Sequence, residues 1–195
     1  MEQNQNPEVR RIDARGTDYH ALNACIRQAA SDVEIVGALG QRYLGDAMDS
    51  GTLTIRGTAG NALGAYLNGG KIVVYGNAQD AAGDTMNKGE IIVHGSVGDT
   101  VGYSMRGGCI YVRDSAGYRA GVHMKAYGDT APVLVVGGRC GSFLGEYQAG
   151  GTIMANTVAA GAALALLGAP WPALETVVQS QFADREGADR ERNLK

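Results

Sequence analysis

The sequence predicts an all-β protein, a single-stranded parallel β-helix of about 19 residues per coil and about six to seven coils with a short helix at each end. Three observations carry this. A strand-like string recurs at a fixed interval, glycines recur in fixed slots between the strings, and apolar residues within each string alternate by two. The 195 residues include 30 glycines and only four prolines, too little glycine for collagen and too little proline for a disordered chain. The chain divides into an N-terminal segment with a capping helix (1–30), the coils (31–157) and a C-terminal helical tail (158–195).

In chain order, the first element after the polar N-terminus is a helix over Asp18 to Ala30. Tyr19, Leu22, Ile26 and Ala29 form one apolar stripe at helical spacing, and Thr17 or Asp18 serves as N-cap. A stacked coil leaves an open end with unpaired backbone groups, and this helix suits the first one.

The strands follow. GTLTIRG begins at Gly51, GKIVVYG at Gly70, GEIIVHG at Gly89 and GCIYVRD at Gly108, 19 residues apart each time. Weaker copies are SDVEIVG from Ser31, APVLVVG from Ala131 and GTIMANT from Gly151. Positions three and five face one way: Leu53 and Ile55, Ile72 and Val74, Ile91 and Val93, Ile110 and Val112, Val133 and Val135. Equal spacing pairs each strand in parallel with its copy one coil later, about 4.8 Å away. The shorter sides are filled by Ala59, Ala78, Val97 and Ala116 and by a column of Met48, Met86, Met105 and Met124. Corners fall at G-x-x-G steps (Gly57 and Gly60, Gly95 and Gly98) and at a glycine three residues before each methionine or leucine, such as Gly64 before Leu67 and Gly83 before Met86. Glycine belongs there because the chain turns through positive φ.

At the far end, Ala159 to Leu167 and Pro172 to Phe182 read as two helical pieces divided by Pro170-Trp171-Pro172, followed by a charged tail. The apolar run from Val158 to Pro170 is too short to span a bilayer.

The net charge is −3, with no block of one sign, which argues against a nucleic-acid or anionic-membrane surface. Cys25, Cys109 and Cys140 lie far apart without a CxxC pair, and the N-terminal MEQNQNPEVRR lacks the apolar stretch of a secretory signal. The expectation is a soluble cytoplasmic protein with reduced thiols.

Chemistry-bearing patterns are sparse. His20, His94 and His123 sit in three different contexts with no HExxH or HxH spacing for a metal. The GGxGxD nonapeptide of calcium-binding β-helices is absent, and dividing the unit by six, as in hexapeptide acyltransferases, breaks the register of the apolar slots. No catalytic, cofactor-binding or metal-binding residue is assigned. Arg42, Arg106, Arg113 and Arg119 lie near corners and form a candidate anion cluster, the alternative being solvated arginines bridging coils to Asp84, Asp99 and Asp114. The stronger signal is steric. Outward position four reads Thr54, Val73, Ile92, Tyr111, Leu134 and Met154, so stacking makes a continuous apolar stripe on the outside. Either the C-terminal helices or another polypeptide must cover it, which makes Val73, Ile92, Tyr111 and Leu134 a candidate docking stripe.

The string G-x-I-x-V-x-G-x-x-G-x-x-x-G-x-x-M-x-x-G, repeated from Gly51 through Gly108, resembles the GXGXG domain at the C-terminal end of the glutamate synthase large (alpha) subunit. It is also similar to the C subunit of formylmethanofuran dehydrogenase. GQRYLGDAM at Gly40, GDTMNKGEIIVHG at Gly83 and GEYQAGG at Gly145 look closest to stand-alone glutamate-synthase-type chains. The likeness runs from about residue 10 to 157; past Asn156, VAAGAALALLGAPW stands where the family continues with another glycine-rich coil. The resemblance implies a right-handed coil and a non-catalytic, domain-bridging scaffold subunit of a glutamate-synthase-like oxidoreductase. On that basis this chain carries no cofactor, and partner subunits supply the amidotransferase, FMN and iron–sulfur chemistry. Other readings stay open: a structural subunit of a formylmethanofuran-dehydrogenase-like or N-methylglutamate-synthase-like complex, self-association, or an independent small-anion binder or enzyme using the arginines.

Overall fold

A computed structural model describes residues 9–29 and 32–155. The elements are β1 (Arg10–Asp13), α1 (Tyr19–Arg27), β2 (Val33–Leu39), β3 (Thr52–Thr58), β4 (Asn68–Tyr75), β5 (Lys88–Val93), β6 (Cys109–Val112), β7 (Val133–Val136) and β8 (Thr152–Ala155). The eight strands form one sheet in sequence order, every neighbour parallel. This is the parallel β-helix that the period predicts, about 34 Å from first strand to last at about 4.8 Å per step.

The register follows the repeat. Leu53, Ile72, Ile91 and Ile110 are successive partners, as are Ile55, Val74, Val93 and Val112, and all eight point into the core. Ala59, Ala78, Val97, Ala116 and Cys140 form a second parallel ladder on another side. Met86, Met105 and Met124 are fully buried, and Met48 packs on the core at the first coil.

The unit that forms β7 departs from expectation. Ile110 pairs with Leu134 and Val112 with Val136, so Leu134 is fully buried while Val133 and Val135 face outward. The loop between Met124 and Val133 makes the step from Ile110 to Leu134 24 residues instead of 19. The string Val133-Leu134-Val135-Val136 is apolar throughout, so its own pattern does not choose a face.

β1 is a further difference, a strand inside the segment expected to supply only a capping helix. It pairs with β2 from Arg10↔Val33 to Asp13↔Val36. Only Ile12 of its four residues is apolar, which leaves no alternation to read. The chain then enters α1, where the Asp18 side chain accepts from the His20 amide at 3.0 Å as N-cap. Leu22 and Ile26 bury against the first coils. The buried Asn23 Oδ1 accepts from the Gly45 amide at 3.1 Å. In the next coil the equivalent Gly64 amide donates to the Leu44 carbonyl. Asn23 thus stands in for the carbonyl of a coil that is not there.

Opposite the sheet, each coil turns twice in succession. Asp46 donates to Tyr43 and Met48 to Gly45; Asp84 to Ala81 and Met86 to Gly83; Glu146 to Phe143 and Gln148 to Gly145. Three left-handed residues make each double turn, a glycine flanked two residues away on either side by a non-glycine. The twelve non-glycine residues with positive φ, at 51 to 66°, all occupy these two flanking columns among the described residues.

The expected helical pieces Ala159 to Leu167 and Pro172 to Phe182 lie outside the described residues. Among those described, no helix is long and apolar enough to cross a membrane.

Candidate docking face

The outward face of the sheet follows from the pleat. Side chains between two inward positions point away from the core, and exact parallel pairing lays them one above another. Thr54, Val73, Ile92, Tyr111, Val135 and Met154 are consecutive partners from β3 to β8. Each is partly exposed, Tyr111 most clearly so at 37%. Three of the four expected stripe residues are therefore on the face, and Val135 takes the place assigned to Leu134. Cys109 and Val133, partners two positions earlier in their strands, widen the apolar surface over β6 and β7.

Charge lies at the margins of this stripe. Lys71 and Glu90 pair at 2.9 Å beside it, one coil apart. At the strand ends Arg56, Tyr75, His94 and Arg113 follow one another. The Arg56 guanidinium lies 4.9 Å from the Tyr75 ring centre, and Tyr75 stacks on His94 at 4.7 Å with the rings 1° from parallel. Arg56 also donates to Glu34 at 2.5 Å, and that hydrogen bond holds the Glu34 carboxyl below its ordinary range. Arg113 makes two 2.9 Å hydrogen bonds to Asp114 and lowers that carboxyl likewise. Burial, chiefly, pushes the Tyr111 phenol above its ordinary value.

The four arginines expected as an anion cluster do not come together. Arg113 closes the exit from β6 and is engaged by Asp114. Arg106 lies before β6, at the opposite end of that strand, in the column of Asn68 and Asn87. Arg42 and Arg119 lie on the double-turn side but four coils apart, about 19 Å at the coil spacing. Arg42 lies over the Tyr19 ring at 4.9 Å, whereas Arg119 pairs with Glu146 at 3.2 Å and lies 5.5 Å from the Phe143 ring. The partners differ from those expected: Arg113 does use Asp114, but Arg119 bridges coils through Glu146. Asp80 and Asp99 instead serve the backbone, each accepting from the amide one coil on at 2.9 and 2.8 Å. The histidines stay apart as well. His20 lies beside Tyr19, and His123 stacks on Tyr147 at 5.0 Å. Among the described residues no three His, Cys, Asp or Glu side chains converge on a point that could hold a metal ion.

A second exposed surface was not legible in advance. On the last three double turns Tyr103, Tyr118, Phe143, Leu144 and Tyr147 all stand at least 39% exposed. Phe143 and Tyr147 occupy left-handed positions, where a β-carbon costs about 1–2 kcal/mol. The signal that locates such residues is their place two before or two after each double-turn glycine.

Each coil thus repeats the strand, the inward glycine of the double turn and the residue three positions after it. The GXGXG motif family matches the chain over residues 20–165. The chain belongs to the GXGXG motif family. This GXGXG chain is 45% identical over 151 residues to Uncharacterized protein MJ1350 of Methanocaldococcus jannaschii, a match covering 73% of this chain and 58% of that protein. The GXGXG chain therefore corresponds to little more than half of that relative's length. No solved structure matches it.

Proposed function

We propose that this GXGXG chain is a non-catalytic scaffold subunit of a glutamate-synthase-like oxidoreductase complex serving glutamate biosynthesis and ammonia assimilation. Its outward sheet face docks the catalytic subunits. The observation that carries the reading is the uncharged stripe of Val73, Ile92, Tyr111, Val135 and Met154, continuous over five coils. Membership in the GXGXG family supports the choice of complex. A rod of this kind presents a long, rigid surface with regular spacing, which suits it to hold other domains at fixed separation. On this reading the chain binds no cofactor itself, and its cytoplasmic partners carry the amidotransferase, FMN and iron–sulfur groups.

The test is purification of the native assembly from its source under gentle conditions, followed by mass spectrometry and an absorption spectrum. Amidotransferase and FMN-domain subunits with flavin and iron–sulfur bands are expected. Molybdopterin-bearing subunits would instead favour the formylmethanofuran-dehydrogenase-like assignment, and a chain recovered alone would refute the scaffold role. The Ile92→Glu/Tyr111→Glu double variant should keep its β-sheet circular dichroism and lose the assembly.

A further inference from the structure

From β3 to β8 the inward residues Leu53, Ile72, Ile91, Ile110, Leu134 and Ile153 are 19 residues apart at every step but one, the 24 residues from Ile110 to Leu134. The cause is local. The corner that enters the strand is a left-handed glycine at Gly70, Gly89, Gly108 and Gly151, with φ of +71, +90, +78 and +86°. Pro132 takes that column in the odd coil, level with Gly108 and Gly151, and its ring holds φ at about −65°. The tight corner is closed to proline, so the chain detours. Ala126 still lies against Gly150, and residues 127–131 are added before Pro132. The detour is ordered. The Tyr127 and Thr130 amides each donate to the other's carbonyl at 3.0 Å, Thr130 Oγ1 donates to the Tyr127 carbonyl at 2.5 Å, and Gly128 turns through a φ of +55°. Tyr127 stands 51% exposed. Thr130 comes back beside Gly107, where an added β-carbon would lie 3.6 Å from its own, so the loop flanks Arg106.

This entry corner is cationic. Arg106 and Lys125 are neighbours one coil apart, the Lys125 amide donating to Met105 as the Arg106 amide does to Met86, and Lys88 follows Asn87 one coil earlier. All three side chains are exposed, and none pairs with a carboxylate among the described residues. Lys125 lies instead over the Tyr127 ring at 5.0 Å. Of the acids nearby, Glu90 is engaged by Lys71 at 2.9 Å, and Asp129 stands exposed in the loop. In a chain of net charge −3 this corner is a local excess of positive charge. From the loop the chain runs straight into Val133, which faces outward beside Cys109 at the margin of the stripe.

We propose that residues 126–132, with Lys88, Arg106 and Lys125, form a second contact that takes an acidic segment of the polypeptide docked on the sheet face and fixes its register. The proposal rests on the docking reading above. A stripe built from stacked coils offers similar apolar contacts after a shift of one coil, about 4.8 Å, so apolar contact alone leaves a partner free to slide. A feature present at one coil removes that freedom, and insertions in repeat proteins often line the binding face. The uncompensated cations beside it favour an acidic segment over a neutral one.

The test uses the native assembly. The triple variant Lys88→Glu/Arg106→Glu/Lys125→Glu should keep its β-sheet circular dichroism and assemble more weakly by on the order of tenfold, and the loss of affinity with added salt should flatten. Arg42→Glu, on the double-turn side, should change neither. Excision of residues 127–131 together with Pro132→Gly restores a 19-residue coil with a glycine corner. In a Cys25→Ser/Cys140→Ser background, a photo-cross-linker on Cys109 should reach one site on the partner with the loop present and several once it is excised. Should the excised chain not fold, the charge variant decides alone. Full affinity with unchanged salt dependence in the triple variant, or the same single cross-link after excision, would overturn the proposal while Ile92→Glu/Tyr111→Glu still abolishes assembly. Assembly that survives Ile92→Glu/Tyr111→Glu would instead overturn the docking reading, and the proposal with it. Saturable binding of inorganic phosphate at Arg106 and Lys125, with assembly indifferent to their reversal, would assign the corner to a small anion. Loss of self-association alone would assign it to a second copy, and either result overturns the proposal.

Discussion

Gly83 shows what the repeat demands of a single residue. Its φ of +71° is open to other residues at a cost of about 1–2 kcal/mol, and alanine, threonine, tyrosine and histidine accept it in the flanking columns. What keeps Gly83 glycine is its inward side, where an added β-carbon would overlap the Ile110 Cδ1 atom in the core. Gly102 has the same turn but faces Leu134, and the nearest atom to an added β-carbon is 3.7 Å away. Gly102→Ala should therefore cost only the backbone strain, about 1–2 kcal/mol, whereas Gly83→Ala adds about 1–3 kcal/mol of overpacking. Urea unfolding of the two variants measures the difference; equal losses would contradict this account of the glycine slots. At the edge of the sheet, hydrogen bonds from the Arg15 side chain and backbone hold the Asp13 carboxyl down to about 2. Because the folded-state value is depressed, the pair's contribution is present above the ordinary aspartate range and is lost as pH falls through about 2. Arg15→Ala should return the Asp13 titration, followed by NMR, towards the ordinary aspartate value.

Elements were legible to the degree that their residues alternate. β3, β4, β5 and β6 could be placed from the sequence because each has two inward aliphatics separated by an outward residue and stands one period from the next. β7 slipped by one position because four consecutive apolar residues fit either face and the preceding loop breaks the period. β1, with its two arginines and one isoleucine, gave nothing to count, and only pairing with β2 makes it a strand. The stripe was legible wherever the strands were, hence the single exchange of Leu134 for Val135. The left-handed columns were not, because Tyr, Thr, Arg and Phe carry no signature of positive φ. α1 was visible from its stripe, but its polar contribution was hidden, since nothing local marks Asn23 as the partner of an amide 22 residues away. Asn23→Ala should leave the Gly45 amide buried without an acceptor and cost about 1–3 kcal/mol. Amide exchange at Gly45 should quicken well before that of the central strands; an unchanged rate would remove Asn23 from the cap.

For the whole molecule, stacking makes each coil depend mainly on its neighbours, so the rod is stiff along its axis and its surface features repeat as columns. A column that is apolar inside builds the core, and one that is apolar outside asks for a partner. The account rests on the outer sheet column being the docking face. Hydroxyl-radical footprinting of the chain alone and in its native assembly tests this most directly, because Tyr111 and Met154 are both readily oxidised and both lie on the stripe. The account predicts that assembly shields Tyr111 and Met154 severalfold while Tyr43 and Tyr66, on the double-turn side, react as before. Equal oxidation of Tyr111 and Met154 in the two states would contradict it.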